Sequence, residues 1–290
     1  MPDKTITEVL ASADRPLLSF EFFPPKDDAG LATLREAAGR LRAARPDFVT
    51  VTYGAGGSTR ARTLEVCELL RDMGFGPVMP HLTCVGASRN ELADFADEVY
   101  QRGYRNIMAL RGDPPKGEKT FRVATDGLAH AADLVALLKA QHPDLCLGVA
   151  GYPEKHPEAS SLEQDLAHLR AKLDAGGDFV TTQLFFENRY YADFVSRCRA
   201  AGIRKPIFAG LMPALSHKQI QRFTALCGAH FPEALARELL AAGDDASAAA
   251  AAGLHWARSQ IQDLMASGPV NLHLYVLNRA HAADLIASLR

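Results

Sequence analysis

Nowhere in the 290 residues do eighteen apolar side chains run together, and the opening stretch MPDKTITEVLASADRPLL is polar and acidic, without an apolar core of signal-peptide length. The expectation is a cytoplasmic chain that neither spans a membrane nor is exported. Cysteine is scarce. Cys67, Cys84, Cys146, Cys198 and Cys227 are an odd number at wide spacings with no C-x-x-C pair, which argues against a disulfide framework or a structural zinc site and for reduced thiols. A basic excess is missing too: 32 Lys and Arg against 34 Asp and Glu leave a net charge of -2 and a pI near 6.6, so no field draws in nucleic acid or an anionic membrane surface. There is no G-x-S-x-G and no Ser-His-Asp set at nucleophile-elbow spacing, which leaves acyl transfer a weak candidate. Around His81 and His156 no H-x-H or H-E-x-x-H places a second ligand, so no metal is expected. No Pro/Gly/Ser-rich linker interrupts the chain, and residues 1–290 are expected to form a single domain.

What is present is the balance of a soluble enzyme-sized chain, 48% hydrophobic and 23% charged, with ample material for a core. Short β-rich runs alternate with longer segments of helical period. The runs fall at 17–23, 47–53, 77–84, 105–111, 145–152, 178–186, 206–212 and 270–277, which makes eight strands. Between them lie helical stretches such as GLATLREAAGRLRAA, SRNELADFADEVYQRG and SLEQDLAHLRAKLDAG, with apolar residues three and four apart. Before the eighth strand three helices are expected, the last built on an alanine run that favours helix over low complexity. Together these predict an α/β fold, a single (β/α)8 TIM barrel with extra helices before the eighth strand. An open doubly wound sheet is the alternative, since spacing does not reveal strand order.

In a barrel, chemistry belongs at the C-terminal ends of the strands. Polar residues recur there: Glu21; Thr52 and Tyr53 ahead of GAGGSTR; His81 and Thr83; Arg111 to Asp113; Tyr152 with PEKHPE; Gln183; Tyr275 and Arg279. Glu21 stands among Phe20, Phe22 and Phe23, and a carboxyl held among phenylalanines would have its ionised form disfavoured, a setting for a general acid. YGAGGSTR is a weak phosphate cradle: it is no P-loop, and Thr59 stands where G-x-G-x-x-G needs glycine. RGDPP reads equally as a local ion pair or as part of a site. Gln183 is an amide facing a barrel interior, where a ligand rich in donors and acceptors would supply its partners. These residues describe a mouth for a polar organic ligand without naming the reaction.

The strings FEFFPPK, VTYGAGGSTR, HLTC, LRGDPP, GYPEKHPEA, TTQLFF and LNRA, in order over essentially the whole chain, resemble those of the bacterial methylenetetrahydrofolate reductases. The resemblance implies a non-covalent FAD and reduction of 5,10-methylenetetrahydrofolate to 5-methyltetrahydrofolate with NADH or NADPH. It further implies a ping-pong mechanism that supplies methyl groups for methionine synthesis, and a homo-oligomer. By the same resemblance Glu21 is the general acid toward the folate, and Asp113 contacts the pterin and tunes the flavin. Gln183, Gln219, Phe223 and Arg279 meet the substrates. Thr52, Tyr53, Ala55, His81, Arg111, Gly112, Asp113, Ala131, Tyr152, His156, Asp165 and Lys172 hold FAD, with His156 and Lys172 toward the pyrophosphate. The chain departs from the family pattern at His130, His168 and Ala171, on the FAD adenosine and phosphate side. It also ends at Arg290 without the regulatory domain of eukaryotic relatives, so no allosteric control is expected. Two other readings remain beside this one: a flavin-free barrel lyase or transferase, motivated by the GAGG cradle, and a folate-binding scaffold without turnover, motivated by the altered FAD-side residues.

Overall fold

A computed structural model describes residues 2–53, 60–113 and 121–289. In chain order the elements are α1 Ile6–Ser12, β1 Leu18–Phe22, α2 Asp28–Leu41, β2 Phe48–Val51, α3 Arg60–Asp72, β3 Val78–Thr83, α4 Arg89–Gln101, β4 Asn106–Leu110 and α5 Ala131–Gln141. They continue with β5 Cys146–Gly151, α6 Leu162–Asp174, β6 Phe179–Thr182, α7 Asn188–Ala200, β7 Ile207–Leu211, α8 His217–Cys227, α9 Glu233–Ala241, α10 Ala246–Ala266, β8 Asn271–Tyr275 and α11 His281–Ala287. All eight strands pair in parallel and in sequence order, and β8 returns to β1, so the sheet closes. Closure decides against the open sheet. None of the described helices is long and apolar enough to cross a membrane.

Each strand lies inside its expected run, trimmed by a residue or two at the ends. The exception is the sixth, expected over 178–186 and ending at Thr182. Beyond it Leu184 and Phe186 turn away from the ladder into a satellite core with Met212, Ile220, Leu235 and Leu239. Their neighbouring carbonyls find side-chain donors there: Trp256 Nε1 donates to Phe186 O at 2.9 Å and Gln260 Nε2 to Phe185 O at 3.0 Å, both from α10. Helices α8 to α10 are the three expected before the eighth strand, and this cluster is what holds them against the barrel.

Alternation along each strand divides the core into two layers. Phe20, Phe22, Val49, Val51, Leu147 and Val149 point outward and are sealed beneath the helices. Each such fully buried side chain contributes about 1.5–3 kcal/mol of hydrophobic stabilisation. Inward at the N-terminal end, Phe48, Met79, Met108, Cys146, Phe179 and Phe208 fill the barrel, the three phenylalanines meeting edge to face.

The short helix α1, to which the sequence reading assigned no element, closes that end. Thr5 and Glu8 form a capping box that starts it, and fully buried Ile6 joins the inward cluster. The buried side chain of Asn106 ties it down, accepting from Ile6 N at 2.7 Å and donating to Lys4 O at 2.9 Å. All five cysteines are unpaired, four of them buried and Cys227 partly so.

Candidate active site

Strand register sets which side chains share the upper interior. Ser19 and Glu21 on β1 stand level with His273 and Tyr275 on β8, and Glu21 is level with Thr50 on β2. Glu21 is 19% exposed in its side chain, with its Oε2 3.5 Å from His273 Nε2 and 3.7 Å from His81 Nε2. Behind the imidazole of His273, Nδ1 lies 2.8 Å from Ser19 Oγ, which also donates to Leu272 O at 3.2 Å. The tautomer follows Ser19: with its hydroxyl on the Leu272 carbonyl, Nδ1–H donates to Ser19 and the Nε2 lone pair faces Glu21; with its hydroxyl on Nδ1, Nε2–H donates to the Glu21 carboxylate. Ser19 is fully buried beneath Glu21, so this Ser-His-Glu chain aims a carboxyl at the mouth rather than a hydroxyl.

The surroundings expected of Glu21 are therefore corrected. Alternation sends Phe20 and Phe22 to the outer layer, and Phe23 is 40% exposed. The neighbours of the carboxyl are imidazoles. Burial is the main reason that His81 is pulled down to about 4, with Glu21 acting in the opposite sense, so it is a neutral ring at physiological pH. Its Nε2 has no hydrogen-bond partner, and neither do the buried hydroxyls of Thr50, Thr83 and Thr181. Native interiors rarely leave such groups unpaired, since each costs about 1–3 kcal/mol. Four of them from β2, β3 and β6, all at inward positions, gather unpaired donors and acceptors in the upper barrel interior, the kind of group a polar ligand would satisfy.

Asn278 fixes the end of β1 against this floor. Its side chain accepts from Phe23 N at 3.1 Å and donates to Phe23 O at 2.8 Å, and both Leu277 and Asn278 take left-handed backbone to bring it there. Arg279 follows, exposed at the rim.

A second group gathers after β4 and β5. Arg111 forms a bidentate pair with Glu158, at 2.6 and 2.7 Å, so the ion pair considered within RGD is made with Glu158 instead. Gly112, at φ 87°, has no room for a side chain, because a Cβ would stand 2.7 Å from Val85 Cγ1. That turn leaves Asp113 exposed while its charge still acts on Tyr152, whose phenol is pushed up by burial first and by Asp113 and Asp165 after it. The ring of His156 meets Tyr152 edge to face. Its Nδ1 accepts from Glu158 N at 3.1 Å, leaving Nε2–H as a donor, and burial followed by Arg111 lowers its pKa.

On α6, Asp165 and Lys172 complete the group. Lys172 Nζ donates to Ala150 O at 2.5 Å, and burial, only partly offset by Asp165, pulls it down to about 8. It therefore remains a cation at neutral pH. Asp165 is pushed up by its own burial against Lys172. His168 and Ala171 are exposed on the same helix, and Ala131 opens α5 directly after its N-cap residue His130.

Thr52 and Tyr53 end the second unit, Tyr53 packing edge-on to Phe95. The GAGGST segment that follows, with Ala55, lies outside the described residues, as does the start of the long fourth loop. Gln219 and Phe223 lie one turn apart on α8, with Cys227 a turn further, and Phe223 packs against the satellite core. At the end of β6 Gln183 is tied by its backbone N–H to Gly151 O at 2.7 Å. Ser19, Thr50, Thr181, His273 and Asn278 are the functional-looking residues that sequence reasoning did not single out. Inward parity in NLHLY could have found His273; its partnership with Glu21, 252 positions away, needed the closed barrel.

A closed parallel barrel with polar side chains gathered at the C-terminal ends of its strands is the architecture of the barrel enzymes, which carry their chemistry at that mouth. Solved structures share that fold. One is a protein from Clostridium thermocellum that binds two copies of 5-methyl-5,6,7,8-tetrahydrofolic acid, at TM-score 0.67 and 15% identity over 98% of both chains. Another is a 2,3-dimethylmalate lyase, at TM-score 0.53 and 11% identity over 98% of this chain and 82% of that one. At these identities both show the fold alone.

Sequence relatives go further. Residues 5–289 match the methylenetetrahydrofolate reductase family. The 5,10-methylenetetrahydrofolate reductase of Escherichia coli is 38% identical over 269 residues, covering 93% of this chain and 88% of the relative. A probable methylenetetrahydrofolate reductase (NADH) of Oryza sativa is 38% identical over 284 residues, covering 94% of this chain. The chain spans about half the length of the plant relatives it matches, 48% in the rice protein. This chain belongs to the methylenetetrahydrofolate reductase family.

Proposed function

We propose that the protein reduces 5,10-methylenetetrahydrofolate to 5-methyltetrahydrofolate with electrons from NADH or NADPH, through a non-covalent FAD, as one catalytic barrel over residues 1–290. The observation that carries this reading is Glu21: a carboxyl at the mouth, 3.5 Å from an imidazole backed by a buried serine, in a chain of this family. NADH in the names of the plant relatives supports NADH as the donor.

The residues present fit a flavin. The unpartnered atoms of Thr50, His81, Thr83 and Thr181 supply donors and acceptors to a polar ring system, and Lys172 with the Nε2–H of His156 offers a cation and a donor to a pyrophosphate. On this reading Thr52, Tyr53, Arg111, Gly112, Asp113, Ala131, Tyr152 and Asp165 hold the same group, Arg111 while paired with Glu158. When bound, FAD supplies the hydride chemistry.

Glu21 gives a proton to a folate ring nitrogen, which opens the five-membered ring to an iminium. His273 orients that carboxyl through its Nε2, with Ser19 holding the imidazole in place. Asp113 meets the pterin, and its negative charge disfavours further negative charge beside it. Gln183, Gln219, Phe223 and Arg279 bind and orient the folate or the nicotinamide. One mouth serving both substrates supports ping-pong kinetics; the methionine pathway, a homo-oligomer and a cytoplasmic location complete the proposal.

The test is an anaerobic titration of the protein as purified. Flavin absorbance that bleaches with NADH and recovers on adding methylenetetrahydrofolate is the expected result. A colourless protein that neither takes up FAD nor turns over folate would sink the proposal.

A further inference from the structure

Between β6 and β8 the side chain of Tyr275 crosses over β7. Its hydroxyl donates to Thr182 O at 2.7 Å, and its ring stands edge-on to His273 with centroids 5.1 Å apart. The crossing needs a glycine beneath it: a Cβ on Gly210 would fall 2.2 Å from Thr182 O and 2.9 Å from the tyrosine ring.

The ladder is altered to admit it. Parallel register between β6 and β7 runs only through Val180 and Thr181, after which Gly210 N donates to the Thr182 side chain at 2.9 Å instead of to a backbone carbonyl. The carbonyl so released is the one that Tyr275 takes. It belongs to the peptide that leads into Gln183.

Gln183 is then held at three points. Its N–H donates to Gly151 O at 2.7 Å, the preceding carbonyl is fixed by Tyr275, and its own Oε1 accepts from Leu184 N at 2.8 Å. The last bond turns the amide so that Nε2, a donor, is free for a ligand acceptor. At its other end Tyr275 is level with Glu21 in the β1–β8 register, so one phenol ties the acid's strand to the amide's loop. Burial, with Glu21 adding to it, raises the phenol well above its ordinary range and keeps it a neutral donor.

We infer that Tyr275 is a positioning residue for the folate substrate, acting through the Thr182 carbonyl to set Gln183 at a fixed distance from Glu21. The inference rests on the folate reading above. Truncating the phenol to Tyr275→Phe removes one oxygen and keeps the ring over Gly210. A small misplacement of a substrate-orienting group lowers kcat/KM by about ten- to a hundredfold.

The probe is 5-methyltetrahydrofolate, measured by equilibrium dialysis on the protein as purified, in wild type, Tyr275→Phe, Gln183→Ala and the double variant. Weaker binding by about tenfold in Tyr275→Phe, with no further loss when the change is added to Gln183→Ala, is the expected result. Gly210→Ala, which drives a methyl into the same carbonyl, is expected to reproduce the loss. Equal penalties in both backgrounds, unchanged binding in Tyr275→Phe, or a variant that no longer folds would overturn the assignment, because Tyr275 would then act only by packing. A wild type that binds no folate overturns the functional reading itself, and this assignment with it.

Discussion

Replacing Glu21 by glutamine isolates the proton from the shape. The two side chains match in volume, and the partners of Glu21 stand at 3.5 and 3.7 Å, too far for strong hydrogen bonds. The fold should lose under about 1 kcal/mol. What glutamine lacks is a transferable proton, and general acid catalysis contributes about 10²–10⁴ in rate, or roughly 3–5.5 kcal/mol of barrier. Reduction by NADH needs no such proton from the folate side. Anaerobic stopped-flow followed at the flavin absorbance separates the halves: reduction by NADH should stay near wild type, while reoxidation by methylenetetrahydrofolate slows by two to four orders of magnitude. Equal losses in both halves, or a melting point lowered by many degrees, would refute the reasoning and make Glu21 a structural residue.

Three further outcomes test other parts of the description. Folded His81 titrates near 4 against an ordinary 6.5, so between those values the unfolded chain holds a proton that the folded chain does not. Stability should therefore fall as pH drops below about 6.5, by up to roughly 3 kcal/mol at the bottom of the window, and His81→Gln should flatten that slope in urea unfolding at pH 5 and 7. Lys172→Met should weaken FAD retention about tenfold, through loss of one charge-assisted donor, and should also lower the melting point, because it removes the donor to Ala150 O and the counter-charge of buried Asp165; full flavin content after gel filtration would contradict the placement of Lys172. Asn106→Ala strands the Ile6 N–H and the Lys4 carbonyl at the base of the barrel. It should cost about 2–4 kcal/mol, and a urea-unfolding loss below half a kcal/mol would show that α1 is not anchored there.

Much of the architecture was legible because each strand is short and bounded. TVTY or NLHLY can be placed within a residue or two from β-branched and aromatic content alone. The sixth strand was overrun because LFF carries the same composition as strand; only burial under α8 to α10, and the capture of its carbonyls by Trp256 and Gln260, turns it aside. Helix α1 was overlooked at seven residues, although TITE carries its capping box in plain view. For the site, Glu21 was found for a reason that alternation reverses: its flanking phenylalanines face the helices. The neighbours that matter, His81 and His273, lie on strands that only barrel closure brings beside it. Asn278 was hidden likewise, its role depending on a contact with Phe23, 255 positions away.

The plug formed by Ile6 and the ring of Phe48, Met79, Met108, Phe179 and Phe208 makes the barrel a cup rather than a tube. Traffic then has one doorway. A molecule that entered as far as the floor would have to leave by the way it came.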